Sequence, residues 1–120
     1  MRFVLKYALP TLPGVHTMAL PAEGELMSVL MPPDNRPSLY MLVPYPQGEP
    51  LAMEPRKVVM LYTGWPLEPE QYNLPEGRVL MFMGSVCTSG NEVFHVYVES
   101  KARVIITEEI DEDDDPNDPN

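Results

Sequence analysis

The residues of this chain with the clearest capacity for nucleophilic chemistry are its single cysteine, Cys87, and a nearby histidine, His95. A thiol or hydroxyl becomes a nucleophile when a histidine base lies within hydrogen-bond distance and a third group orients that base. Cys87 lies where a predicted hairpin enters its loop, whereas His95 lies inside the next strand, so the two need not be neighbours. Because the sequence offers neither an orienting acid nor an oxyanion donor beside them, we expect a protein that is not an enzyme.

Metal and phosphate chemistry are disfavoured by the same kind of spacing argument. Zinc sites need clustered cysteines, histidines or carboxylates, but His16 and His95 stand alone and there is one cysteine. The acidic run "DEDDD" at residues 111–115 lacks the glycine and the terminal glutamate of a calcium loop. The glycines do not form a phosphate-binding loop at the start of a helix. We therefore expect neither a metal nor a cofactor.

The candidates for a binding site are a basic pair, the stretch "TGWP" at residues 63–66 and one histidine. Cations beside an aromatic ring suit an anionic nucleotide. Each candidate also has a structural interpretation. A basic pair at the start of a strand is usually solvated, Trp65 at a loop mouth can close the end of a core, and His95 can be a half-buried histidine bonded to a neighbouring strand. The candidate set is Arg56, Lys57, Thr63, Gly64, Trp65 and His95.

The elements that position these residues are predicted to be short strands. Fifteen prolines in 120 residues restrict long helices, and apolar residues recur with the period of two that is typical of strands. The prediction is an all-β fold, a compact antiparallel sandwich or small barrel of seven to eight short strands. The segments are residues 2–9, 14–20, 24–31, 38–43, 56–63, 77–86, 92–100 and 102–107. Residues 66–76 are predicted to form a long, solvent-exposed connection between two core strands.

The charge is concentrated at the end of the chain. Residues 1–107 contain ten acidic and eight basic residues. The other eight of the eighteen acids follow them: Glu108, Glu109, Asp111, Glu112, Asp113, Asp114, Asp115 and Asp118. Such a segment cannot bury enough apolar surface to offset its chain entropy, so we predict one domain over residues 1–107 and a disordered acidic tail over 108–120. The near-neutral body and acidic tail argue against direct nucleic-acid binding.

Neither export nor membrane insertion is predicted. The stretch "MRFVLKYALP" is interrupted by Lys6 and Pro10, and no apolar run approaches the roughly 18–20 residues that cross a bilayer. The single cysteine fits a reducing compartment. We expect a soluble protein of the cytoplasm.

Several short motifs in a fixed order resemble a family of short, uncharacterised proteins encoded by tailed bacteriophages. The motifs are "LKY", "LPAEGELMSV", "SLYMLVP", "RKVVMLYTGWPL", "VLMFMGSV" and "EVFHVYVE", and the resemblance covers about residues 3–99. Trp65 stands where the family usually has a histidine in a "TGHP"-like turn, and Ser85 stands where threonine is usual. The resemblance implies a small all-β protein made in the infected bacterial host, with no established activity to transfer.

Three functions follow from these observations. The first is a non-enzymatic phage accessory protein that binds a host or phage protein; one form of such binding is inhibition of a host nucleic-acid-handling or defence enzyme, whose basic groove would attract the acidic tail. Simple solubility is the competing role for that tail. The second is a minor virion or decoration component. The third is a binder of a small anionic ligand such as a nucleotide, using the candidate residues above.

Overall fold

The computed structural model describes residues 2–32, 36–44, 50–88 and 90–101, and seven antiparallel strands make up most of them. The strands are β1 (Arg2–Ala8), β2 (Gly14–Pro21), β3 (Glu25–Leu30), β4 (Ser38–Pro44), β5 (Met53–Tyr62), β6 (Arg78–Cys87) and β7 (Val93–Lys101). They form a three-stranded sheet in the order β1-β4-β3 and a four-stranded sheet in the order β2-β5-β7-β6. The predicted all-β antiparallel fold is confirmed. The eighth predicted strand, 102–107, and the acidic tail lie outside the described residues.

The core lies between the two sheets and follows the alternation of the sequence. On β4 the inward residues are Leu39, Met41 and Val43, and all three are fully buried. On β7 they are Phe94, Val96 and Val98, which are also fully buried. Burying one such side chain contributes about 1.5–3 kcal/mol. The inward faces of β4 and β7 therefore supply much of the energy that holds the sheets together.

The chain crosses from the four-stranded to the three-stranded sheet at a glycine that no larger residue can replace without strain. Gly24 has a φ of +125°, and a Cβ built there would lie 2.7 Å from the carbonyl oxygen of Leu42. Both the left-handed backbone and the close approach of β4 require glycine. The turn between β2 and β3 is thus set by one residue.

The proline in β5 is accommodated because the strand is paired on one side only at that point. Pro55 pairs with Ala19 of β2, while the ladder between β5 and β7 begins at Val58 and Val98. A proline has no N–H to donate and is tolerated where a neighbouring ladder is missing.

The connection between β5 and β6 contains a 3₁₀ turn at Pro69–Gln71, in which no residue is buried. Among the described residues, no helix is long and apolar enough to cross a membrane.

Candidate functional site

The four-stranded sheet carries an apolar row on the side turned away from the core, which we call the outer face. In the antiparallel register Val15 of β2 pairs with Val59 of β5, Val59 with Tyr97 of β7, and Tyr97 with Phe82 of β6. Directly paired residues point to the same side of a sheet. These four side chains therefore form a continuous row across all four strands.

The two ends of this row are exposed to solvent. Val15 is 44% exposed and Phe82 is 54% exposed, and the Phe82 ring lies 5.2 Å from the Tyr97 ring. Val59 and Leu61 are buried but do not belong to the core cluster. The exposed apolar surface of the outer face therefore lies at the two ends of the row, at Val15 and Phe82.

A hydrogen-bonded polar row crosses the same face beside the apolar one. The Nε2 atom of His95 lies 2.7 Å from the Thr63 hydroxyl, and its Nδ1 atom lies 2.7 Å from the Ser85 hydroxyl. In a neutral imidazole one nitrogen donates and the other accepts. One hydroxyl therefore donates to the ring while the other accepts from it.

This polar row contains a base and two hydroxyls but does not have the geometry of a catalytic triad. In a triad the second ring nitrogen donates to a carboxylate, which holds the imidazole in its working tautomer. Here the second nitrogen of His95 contacts a hydroxyl instead. The arrangement matches a half-buried histidine bonded to its neighbours, which is the structural interpretation given above for His95.

The sequence analysis considered Cys87 as a partner of His95 and argued against it, but it did not consider Ser85 as that partner. A loop of five residues joins Cys87 to Val93, and those two residues pair at the end of the hairpin. Two residues farther from the loop on each strand, Ser85 lies opposite His95. Counting back from the predicted loop would have identified Ser85, because side chains two residues apart share a face. Cys87 is exposed and has no disulfide partner.

Arg56 forms side-chain hydrogen bonds at the position where the ladder between β5 and β7 is missing. Its Nε and Nη2 atoms donate to the carbonyl oxygen of Glu99 at 2.9 and 2.7 Å, and its Nη1 atom donates to that of Pro21 at 3.1 Å. The carboxylate of Glu99 in turn accepts the Lys57 backbone N–H at 3.0 Å. Side chains thus satisfy the backbone groups that the missing ladder leaves unpaired.

An ion-pair network surrounds this guanidinium. Arg78 donates to both oxygens of Glu54 at 2.9 Å and lies 3.4 Å from the Glu99 carboxylate. Burial lowers the pKa of Arg56, and the nearby charge of Arg78 lowers it further, while Glu54 and Glu99 act in the opposite direction. The network accounts for the positive charges here without any ligand.

The remaining candidates for an anion site do not come together. Arg56 is buried on one side of β5, and the next residue, Lys57, points to the outer face with Thr17, its partner in β2. Thr63 lies six residues after Lys57, roughly 20 Å away along an extended strand. The structure therefore separates the basic pair from the "TGWP" turn.

Trp65 lies at the open end of the core. Its ring meets the Tyr62 ring edge-on at 5.1 Å, and Tyr62 stacks on the buried Phe94 at 4.9 Å. Gly64, with a φ of +93°, forms the turn that lets the Trp65 N–H donate to the Tyr62 carbonyl. Since Trp65 is 49% exposed, one part of the ring covers the core edge and the rest faces solvent.

The charged residues of the outer face lie toward one end of it. They are Lys57 and Glu99, and the pair Arg78 and Lys101 follows on the same side of β6 and β7. The Glu99 side chain is buried and engaged by Arg78 and by the Lys57 backbone. The remainder of the face is apolar, with the hydroxyl–imidazole row beside it and the charged residues at one end.

Comparison with known proteins gives one family and no further relatives. A family model described as "Domain of unknown function (DUF7352)" matches residues 1–106. Searches of curated proteins and of solved structures find no match.

Proposed function

Because the chain belongs to DUF7352, a family of unknown function, we propose its function from the geometry: it is a non-enzymatic accessory protein that binds another protein through the outer face. The observation that carries this proposal is the apolar row Val15, Val59, Tyr97 and Phe82, exposed at both ends. Exposed apolar patches of this kind typically mark interaction sites.

The size of the face supports a protein partner. Four strands about 4.8 Å apart and about ten residues long give a surface of roughly 600 Å². A standard interface buries about 800 Å² of accessible surface per partner. Because Val59 and Leu61 are already buried, this face would supply part of such an interface. A matching partner surface is flat, apolar and low in charge, with a polar group opposite the Ser85–His95–Thr63 row.

The acidic tail would add long-range attraction to a basic partner. Its charges lie close together in the sequence, and fields of this kind raise association rates more than they strengthen the final contact. A host nucleic-acid-handling or defence enzyme is one partner of that description, and the resemblance to tailed-phage proteins proposes the infected bacterium as the setting.

The test compares variants of matched exposure on the two sheets. Phe82→Asp places a charge on the outer face, whereas Val4→Asp, also at a residue 54% exposed, places it on the three-stranded sheet. Partners are captured with the tagged full-length chain from infected cells, and affinity is then measured with the purified partner. Desolvating a charge in an apolar contact weakens binding about 10- to 100-fold, a loss of about 1.4–2.8 kcal/mol.

We expect that loss for Phe82→Asp and none for Val4→Asp. A chain ending at Thr107 tests the role of the tail separately. This truncated chain should associate with the partner more slowly, its association rate should depend less on salt, and its dissociation rate should stay unchanged. Binding that is equally strong in Phe82→Asp, or recovery of the protein in purified virions with no separate partner, would contradict the proposal and favour a structural role.

A further inference from the structure

The open end of the core carries a carboxylate beside the exposed tryptophan. The Tyr62 hydroxyl donates to the Oε2 atom of Glu92 at 3.1 Å, and the Tyr62 ring packs edge-on against the Trp65 ring. Tyr62 is therefore in contact with both the indole and the carboxylate. Its own ring is held by stacking on the buried Phe94. We call Tyr62, Trp65 and Glu92 together the aromatic corner.

The charge at the aromatic corner is arranged differently from the charge at the other end of the four-stranded sheet. At that other end, the Arg78 guanidinium contacts the carboxylates of both Glu54 and Glu99. Glu92 is exposed, and among the described residues the Tyr62 hydroxyl is the one donor to its carboxylate. A phenol carries no positive charge, so the negative charge of Glu92 is not neutralised. The corner thus suits a cation and not the anionic nucleotide considered for this turn from the sequence.

Backbone hydrogen bonds hold both sides of the corner in place. The Thr88 N–H donates to the Glu92 carbonyl at 2.8 Å, and the Glu92 N–H donates to the Thr88 hydroxyl at 3.3 Å. On the other side, the Trp65 N–H donates to the Tyr62 carbonyl at 3.1 Å. Because these bonds order the residues before any ligand arrives, binding does not have to supply the free energy of ordering a loop.

We propose that the aromatic corner binds the arginine side chain of a peptide segment. A guanidinium is planar and weakly hydrated, so it can stack on the indole while its N–H groups donate to the Glu92 carboxylate. A lysine ammonium carries the same charge but is more strongly hydrated and does not stack. Leu67, two residues after Trp65, is also exposed and would contact a residue beside the arginine.

This inference does not depend on the proposed function, because the corner and the outer face lie on different sides of the sheet. Tyr62 pairs with the core residue Phe94, whereas the next pair along the ladder, Leu61 and His95, belongs to the outer face. Loss of binding at one surface would therefore leave the other intact.

The fluorescence of the one tryptophan in the chain reports binding at the corner directly. The probe is an acetylated and amidated peptide with one arginine between four alanines. Its control carries citrulline, the neutral isostere of arginine, at the same position. The arginine peptide should change the Trp65 emission saturably and bind about 3- to 30-fold more tightly than the citrulline peptide, because an exposed ion pair and a cation–π contact act together.

Proton NMR of the arginine peptide distinguishes stacking from general attraction to an acidic protein. The δ-methylene protons of the arginine should shift upfield on binding, because they would lie over the indole ring. Glu92→Gln removes the charge but keeps an oxygen that can accept from the Tyr62 hydroxyl, and it should weaken binding about 2- to 5-fold.

Glu76→Gln is the matched control. It makes the same change in net charge at an exposed residue, but Glu76 precedes β6 at the opposite end of the hairpin from Glu92. Binding should be unchanged in this variant.

Three results would overturn the proposal. The first is equal affinity for the arginine and citrulline peptides, and the second is an equal effect of Glu92→Gln and Glu76→Gln. The third is the absence of any change in Trp65 emission or in the arginine proton shifts at high millimolar peptide. A peptide with lysine in place of arginine tests the assignment to a guanidinium, which tighter binding of the lysine peptide would refute.

Discussion

Replacing Arg56 with methionine removes a buried cation while retaining an unbranched side chain of similar length. The guanidinium donates to the carbonyl oxygens of Glu99 and Pro21, and both acceptors lose that partner in the variant. Leaving a buried acceptor unsatisfied costs about 1–3 kcal/mol, so the two together give a range of about 2–6 kcal/mol.

The lower half of that range is expected, because methionine does not have to be desolvated as a charge. We predict a loss of about 3 kcal/mol in the free energy of unfolding, which for a domain of this size corresponds to about 12 °C or more in Tm. Urea unfolding followed by circular dichroism measures the change.

The matched control is Lys57→Met, one residue away on the opposite side of β5. Its backbone N–H, which donates to Glu99, is unchanged by the substitution. A surface substitution of this kind should change stability by less than about 0.5 kcal/mol. If Arg56→Met also cost less than about 1 kcal/mol, the interpretation of Arg56 as a structural residue would be wrong and a ligand role would regain support.

Two further predictions concern the turn glycines and the alkaline stability. Gly24→Ala should lower the free energy of unfolding, measured by thermal unfolding, by about 1–3 kcal/mol more than Gly14→Ala does. Both glycines have a positive φ, but only at Gly24 would a Cβ lie against a backbone oxygen. Equal losses in the two variants would contradict this close approach. Partial burial and the hydrogen bond to Glu92 raise the pKa of the Tyr62 phenol above 10.0. The stability from this shift is present below pH 10.0 and is lost as pH rises through the higher folded-state pKa, so Tyr62→Phe should lose less stability than the native chain in an alkaline titration. Parallel curves would show that Tyr62 does not contribute.

The strands could be predicted from the sequence, but their arrangement could not. Period-two alternation located all seven described strands to within a few residues, because alternation reports only which side of a strand is buried. Whether β3 joins β4 or β6 depends on contacts between distant segments, and local pattern carries no record of them. The hairpin of β6 and β7 was the exception, since a short loop fixes its register.

In the candidate site, likewise, single residues could be identified from the local sequence, but their contacts with distant residues could not. His95 was identified as a polar residue on an otherwise apolar strand, but its partner Thr63 is 32 residues away and is brought close only by the pairing of β5 with β7. Arg56 looked like a surface cation because it stands beside Lys57. Its burial follows from the break in the ladder at Val58, which no local pattern shows.

The sequence by itself determined the all-β class, the strand positions and the uneven distribution of charge, because these depend on residue type and spacing along one segment. The tertiary structure decided which side of each sheet meets the other. It thereby made Arg56 a structural residue and placed Val15, Val59, Tyr97 and Phe82 in one row. Both outcomes depend on the register between strands, which is set when the two sheets pack around a shared core.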